Sequence, residues 1–339
     1  MMKSVSLSAL LSLVATAAPV AADTFFANKT ITVMNAGSPG GGYDLYARTV
    51  TRHMQRHIPG EPNIVNTNVP GAGSVTLANQ LYSRASRDGL TIGMPFPGAI
   101  LGPLLDEKTK ATFKPSEFGY IGSANVATRV CAIFHTKNIK TFEDARKQET
   151  VIGADAPGGS LFDYTAMLRN ELGAKFKMVR GYKSSVDITL AMERGEVNGI
   201  CGIDWSSLRA QKQDWIREKR VNVILQMGPD EDKELSAMGV PTIWSFVKDP
   251  DKKEILNLIL SQQVFGRPFA VPPGVPVERL AILRKAFDAT MKDEALLADA
   301  KKLGIDISPA SGSRLQEMIT KLYATDERIV KGARAAVKP

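Results

Sequence analysis

The chain has 339 residues, 44% hydrophobic and 23% charged, which is globular composition with length for two domains and excludes a disordered or fibrous protein. Its net charge of +8 comes from 43 Lys and Arg against 35 Asp and Glu, spread without a block of like charges, so no nucleic-acid partner is expected. The two cysteines, Cys131 and Cys201, fit neither a zinc nor a CxxC spacing and exclude a disulfide-stapled scaffold.

In chain order, Lys3 is the single charge ahead of an apolar, small-residue stretch from Val5 to Ala22. The apolar stretch Leu7 to Ala18 is too short to span about 30 Å of hydrocarbon, and Val20-Ala21-Ala22 has the small residues of a cleavage site. The expectation is a secretory signal peptide over 1–22, cut after Ala22, with no Cys near the cut to carry a lipid. Cys131 and Cys201 would then occupy an oxidising compartment in which a disulfide can persist; their spacing does not decide whether they pair.

The mature chain alternates strand and helix patterns. A strand at Ile31 to Met34 precedes a helix with the stripe Tyr46, Val50, Met54 and His57; then follow a strand at Asn63 to Val69, a helix at Val75 to Tyr82 and a strand at Leu90 to Met94. A second set runs through strands at Val130 to Phe134 and Val151 to Ala154, a helix at Phe162 to Leu172, a strand at Phe176 to Val179, a helix at Ser185 to Arg194 and a strand at Gly199 to Ile203. A strand over Val264 to Val271 leads through a proline-rich turn into a helix bearing Leu280, Leu283, Phe287 and Met291, and a helix bearing Leu315, Met318, Ile319 and Leu322 closes the chain. Two such sets predict two doubly wound α/β domains.

Three strand-to-helix turns are rich in glycine: Gly37-Ser38-Pro39-Gly40-Gly41-Gly42-Tyr43-Asp44, Pro70-Gly71-Ala72-Gly73-Ser74 and Ala156-Pro157-Gly158-Gly159-Ser160. Free backbone N–H groups and the positive end of a helix dipole make each an anion site in physical terms, and each is equally a flexible turn with a capping residue. None is a P-loop or a dinucleotide fingerprint. Three such turns from two domains can converge on a cleft at the C-terminal ends of the strands, which favours a ligand that is anionic at more than one point. Catalytic constellations are weak. His53 and His57 have the i, i+4 spacing of a metal pair but no third ligand, neither Cys lies in a catalytic signature, and no GxSxG elbow occurs. Asp204 and Trp205, ending a strand, are cleft candidates, with core packing the commoner role for the tryptophan. No cofactor or metal is implied.

The motifs Gly40-Gly41-Gly42-Tyr43-Asp44, Val69-Pro70-Gly71-Ala72-Gly73, Arg87-Asp88-Gly89-Leu90-Thr91, Gly181-Tyr182-Lys183, Gly195-Glu196-Val197, Val240-Pro241-Thr242 and Ala270-Val271-Pro272-Pro273-Gly274-Val275-Pro276, in this order behind a signal peptide, resemble the Bug family. These are the TctC-like extracytoplasmic solute receptors of tripartite tricarboxylate transporters, and the likeness covers the whole mature chain. It implies a type II periplasmic-binding-protein fold: two α/β lobes joined by crossing strands, mapped to Val130 to Phe134 and Val264 to Val271. Lobe 1 would comprise 23–128 and 264–339, and lobe 2 would comprise 129–263. Ser38, Gly40, Gly41, Tyr43, Asp44, Gly71, Ala72, Gly73 and Ser74 would form the lobe 1 side of the ligand site, and Pro157, Gly158, Gly159, Ser160, Tyr182 and Asp204 the lobe 2 side. Tyr43 stands where the family usually has a small residue or Thr, and Ser74 replaces a common Gly. The resemblance implies a monomeric periplasmic receptor that takes a small organic carboxylate, held mainly by uncharged loop amides, to membrane permease subunits. A ligand-sensing receptor for a signalling partner and a secreted enzyme acting on a carboxylate are the alternatives.

Overall fold

Two β-sheets, each flanked by helices, carry the chain in the computed structural model, which describes residues 25–37, 39–106, 109–182, 184–228 and 230–339. The expected export signal lies outside these residues. The first run is β1 (Thr30–Asn35), α1 (Gly42–Met54), β2 (Asn63–Asn68), α2 (Val75–Ser83), β3 (Thr91–Met94), α3 (Pro97–Leu105) and β4 (Gly119–Ser123). The second is β5 (Arg129–Phe134), α4 (Phe142–Lys147), β6 (Thr150–Ala154), α5 (Ser160–Leu172), β7 (Phe176–Arg180), α6 (Ser185–Glu193), β8 (Gly199–Asp204), α7 (Trp205–Gln211), α8 (Gln213–Arg217) and β9 (Val221–Met227). The chain then runs through α9 (Lys233–Ala237), α10 (Pro250–Leu260), β10 (Pro268–Val271), α11 (Val277–Thr290), α12 (Glu294–Leu303), β11 (Ala310–Ser311), α13 (Gly312–Tyr323) and α14 (Glu327–Ala336).

The first sheet has the order β11-β4-β10-β3-β1-β2 and the second β7-β6-β8-β5-β9. Strands β2, β1 and β3 are parallel, as are β7, β6 and β8, and in each sheet the turns that follow these strands open onto helix N-termini. Strand β10 enters the first sheet antiparallel between β3 and β4, so residues from the last third of the chain complete a sheet begun by the first. The chain passes between the sheets at 124–128 and again ahead of β10. The two passages run side by side, with Ala124 N donating to Arg267 O at 3.0 Å and Ala127 N to Gln263 O at 3.2 Å.

Helix α1 illustrates how sequence becomes packing. Tyr46, Val50 and Met54 recur at i+4 and are buried together with Ala47, while Arg48 and Arg52 on the opposite face are exposed. Burial of three such side chains contributes about 1.5–3 kcal/mol each. His57 falls beyond the helix in a short 3-10 turn, because the chain tightens after Met54. His53 Nε2 lies 2.9 Å from Asp299 on α12, and His57 Nε2 lies 2.7 Å from Asp293, the residue that caps α12. The histidine pair therefore ties α1 to α12 through two different carboxylates.

The region around β10 differs from expectation. Residues Ser261–Phe265 form a 3-10 turn, and the strand begins only at Pro268, since Gly266 and Arg267 lie in the passage between sheets. Helix α13 does not close the chain: α14 follows, capped by Asp326, and buries Ile329, Val330, Ala333 and Ala336 against α10, α5 and α3. Cys131 and Cys201 are register partners on β5 and β8 and are joined by a disulfide. No described helix is long and apolar enough to cross a membrane.

Candidate solute site between the lobes

The first glycine-rich turn is built around Asp44. Its carboxylate, 4% exposed, accepts from Gly40 N at 2.9 Å, Asn68 Nδ2 at 3.0 Å, Asn35 Nδ2 at 3.2 Å and Arg48 Nε at 2.9 Å. The Arg48 hydrogen bond, reinforced by the other donors, holds this carboxyl well below the usual carboxylate range. Asn35 Oδ1 in turn accepts from Gly37 N, and a β-carbon at Gly37 would stand 2.6 Å from Tyr43 Cβ. Asp44 and Gly40 thus hold the loop in shape. The N–H groups of Gly42 and Tyr43, in the first turn of α1, have no intrahelical acceptor. Ser38 lies outside the described residues.

Tyr43 reaches across to the passage between lobes. Its hydroxyl donates to Gly266 O at 2.6 Å, its ring meets Phe96 edge-on with centroids 4.5 Å apart, and the Arg267 guanidinium lies 4.4 Å from its ring centroid. Burial pushes the phenol up to about 12, against the pull of Arg267 and Arg129. A small residue at this position would leave the Gly266 carbonyl without this donor.

The second turn is a run of left-handed backbone: Gly71, Ala72, Gly73 and Ser74 have φ of 133°, 46°, 60° and 79°. Two of the four carry side chains in a region that only glycine enters without cost. Ser74 is buried, and its Oγ accepts from Phe96 N at 3.0 Å, fixing the turn to the residue ahead of α3. A glycine could not make this bond, which accounts for the serine. Gly71, Ala72 and Gly73 are exposed.

On the other lobe, the third turn is ordered by two acids. Asp163 Oδ1 accepts from Gly158 N at 2.9 Å, and Asp155 Oδ1 accepts from Phe162 N at 2.8 Å. A β-carbon at Gly159 would collide with the Asp155 carboxylate. Burial raises Asp163 to about 7 and Asp155 to about 6 despite these amide donors. Gly202 on β8 packs so closely on Ser160 O that a β-carbon there would also collide, which sets the end of β8, and so Asp204, beside the turn. Gly158 O faces Gly98 of α3 across the cleft, 3.0 Å from where a β-carbon of Gly98 would sit. A cavity of about 650 Å³ borders this contact on the side of the C-terminal helix α14, lined by Leu101, Pro157 and Asp163 together with Lys331, Arg334 and Val337.

Between these turns lies a charged group that the glycine motifs did not announce. Arg129 opens β5, Arg267 ends the return passage and Asp204 ends β8. Arg129 Nη1 is 3.3 Å and Arg267 Nη2 is 3.8 Å from Asp204 Oδ2, and the three side chains are 12%, 9% and 9% exposed. Arg129 Nη1 also donates to Gly202 O, and Arg267 Nη1 to Gly266 O. Sequence reasoning passed over both arginines. The available signal was a lone cation inside an apolar run, Val264-Phe265-Gly266-Arg267-Pro268-Phe269, and another at the head of the buried strand Val130 to Phe134.

Tyr43 meets Arg267, which reaches Asp204; Ser74 is tied to Phe96 beside the Tyr43 ring, and Ser160 packs on Gly202, two residues before Asp204. Tyr182 is half-buried: its N donates to Ala154 O, its side chain packs against the lobe 2 core, and its phenol is raised by burial and by Glu196. Trp205 is buried in that same core, with Nε1 donating to Glu234.

No protein-family model and no curated protein matches the chain. Solved structures do. A TctC solute-binding protein from Polaromonas, without ligand, matches with a TM-score of 0.66 at 16% identity, over 90% of this chain and 98% of its own. The periplasmic binding protein BugD matches at 0.65 and 17% over 91% and 97%, and MatC from Rhodopseudomonas palustris with bound malate at 0.63 and 16% over 89% and 99%. Identities of this size establish architecture, and the chain has the two-lobed α/β fold of the TctC- and Bug-type periplasmic solute-binding proteins.

Proposed function

We propose that the protein is a periplasmic solute-binding protein. It captures a small organic carboxylate between its lobes and presents it, chemically unchanged, to the membrane permease subunits of a tripartite tricarboxylate-type transporter. The observation that carries this reading is the cationic cleft base: two nearly buried guanidinium groups share one carboxylate, at the point where glycine turns from both lobes meet. Helix-opening amides of the first and third turns supply donors for a solute carboxylate beside this group. Malate, the solute bound to MatC, is a small carboxylate of this kind. Export through a signal peptide cut after Ala22, action as a monomer, and the roles of the first-turn residues Ser38 and Gly41 belong to the same reading.

Thermal unfolding of the mature protein against mono-, di-, tri- and aromatic carboxylates tests it. An acid at a hundred times its dissociation constant stabilises the native state by about 2.7 kcal/mol. A panel in which no acid raises the melting temperature at millimolar concentration would refute carboxylate capture.

A further inference from the structure

Helix α14 is the last element of the chain, and both lobes hold it. The chain reaches it from the first-sheet lobe. There α13 is fixed by Gln316 Nε2, which donates to Ser116 O at 3.1 Å, and by Tyr323, whose hydroxyl donates to Ile100 O on α3 at 2.6 Å. Within α14, Arg334 Nε donates to Leu104 O of α3 at 2.9 Å.

The far end of the same helix is held by the second-sheet lobe. An α-helix leaves its last carbonyls without intrahelical donors. At the end of α14 the side chains of α5 supply them: Asn170 Nδ2 donates to Ala336 O at 2.9 Å and to Lys338 O at 3.0 Å, and Arg169 Nη2 donates to Lys338 O at 3.2 Å. Arg169 Nε also donates to Asn170 Oδ1 at 3.1 Å, which turns the amide donors toward α14. Gly332 lets α14 lie close against α10, since a β-carbon there would stand 2.4 Å from Ile255 Cδ1, and Lys252 of α10 donates to Glu171 O on α5 at 3.0 Å.

The cavity of about 650 Å³ is lined by Gly98 and Gly158, where the lobes touch, and by Lys331, Arg334 and Val337 of α14. The helix thus bridges the lobes beside a space that side chains do not fill. A helix that only rode on the second-sheet lobe would need no bond to α3. The turn from α13 to α14 is then a third connection between the lobes, besides the two passages at 124–128 and ahead of β10.

We propose that α14 is a strap that holds the lobes together before any solute arrives, with Asn170 and Arg169 as its clasp on the C-terminal carbonyls. This goes beyond the carboxylate-binding reading and stands whether or not that reading does. One hydrogen bond of ordinary net strength shifts a two-state equilibrium by about two- to tenfold. Loss of both Asn170 bonds is therefore expected to raise the ratio of separated to touching lobes by about four- to hundredfold.

Pulsed electron-spin distance measurement on the solute-free mature protein tests it. The labels sit at Arg84→Cys on the first-sheet lobe and Glu196→Cys on the second, both exposed positions, and the two native cysteines are joined to each other. Asn170→Asp keeps the size of the side chain and removes both donors; the expected result is a longer-distance population at least about fourfold larger than in the labelled protein with Asn170 intact. Deletion of Lys338 and Pro339, which are exposed and lie beyond α14, removes two of the three bonds and keeps the test open should Asn170→Asp fail to fold. It is expected to shift the distances in the same direction. Unchanged distances in the folded variants, or lobes already apart when the clasp is intact, overturn the proposal.

Discussion

Asp44→Ala tests whether the first glycine turn is held by this carboxylate, as the hydrogen bonds require. The substitution strands four donors, and their surroundings set the cost. Arg48 is about half exposed and returns to water, so its share is at most about 1 kcal/mol. The Gly40 amide is at the surface and also rehydrates. Asn68 Nδ2 keeps Gly37 O at 2.8 Å, but Asn35, fully buried, is left with Thr67 O at 3.4 Å. One buried donor left nearly unpaired and the loss of charge-assisted bonds together predict a destabilisation of about 2–4 kcal/mol at pH 7. Urea unfolding followed by circular dichroism measures it. The same experiment has a pH signature. Asp44 titrates lower in the folded state than in the unfolded, so its contribution is complete above the unfolded value of about 4 and is lost as the pH falls below it. The gap between the two proteins is expected to narrow on acidification. Carboxylate affinity is expected to fall about tenfold or more, because the freed turn must be reordered on binding. A loss of less than about 1 kcal/mol with unchanged affinity would refute the assignment.

Two further outcomes follow from the interlobe geometry and the third turn. Gly98→Val introduces a branched side chain whose β-carbon lies 3.0 Å from Gly158 O; overpacking of this interlobe contact is expected to destabilise the protein by about 1–3 kcal/mol in urea unfolding, and an unchanged midpoint would show that the contact does not hold the lobes together. Asp163 is raised from 3.8 to about 7, so the folded protein binds its proton more tightly than the unfolded chain, and stability is expected to decline as the pH rises from about 4 through 7, by at most about 4 kcal/mol from this group. Asp163→Asn, whose amide oxygen can still accept from Gly158 N, is expected to flatten that decline, and an identical slope in melting temperature between pH 5 and 8 would remove Asp163 as its source.

Much of the site was legible as a set of positions. The three glycine turns stand out because each joins an apolar strand to an amphipathic helix, a local pattern that needs no tertiary information. Their internal roles were not legible. Asp44 reads as a cap or a ligand from its place at a helix start, and the choice was made by Asn35 and Asn68, which only strand pairing brings beside it. Tyr182 follows a strand just as the site residues do, and its half-buried side chain packs against the lobe 2 core. Arg129 and Arg267, 138 positions apart by number, acquire meaning only through the shared Asp204, because two isolated cations in sequence carry no sign of a common partner.

Length, the alternation of strand and helix patterns and the turn glycines were enough to predict two α/β units, since these depend on periodicity and backbone preference within a few residues of each other. The small excess of basic residues is spread along the chain with no run of like charges. Where that charge matters was decided by the tertiary structure. Only the crossing of the chain between two sheets brings Arg267, in the return passage, and Arg129, which opens β5 just after the first passage, to one nearly buried carboxylate, and burial makes a charge that is unremarkable in sequence consequential in the fold.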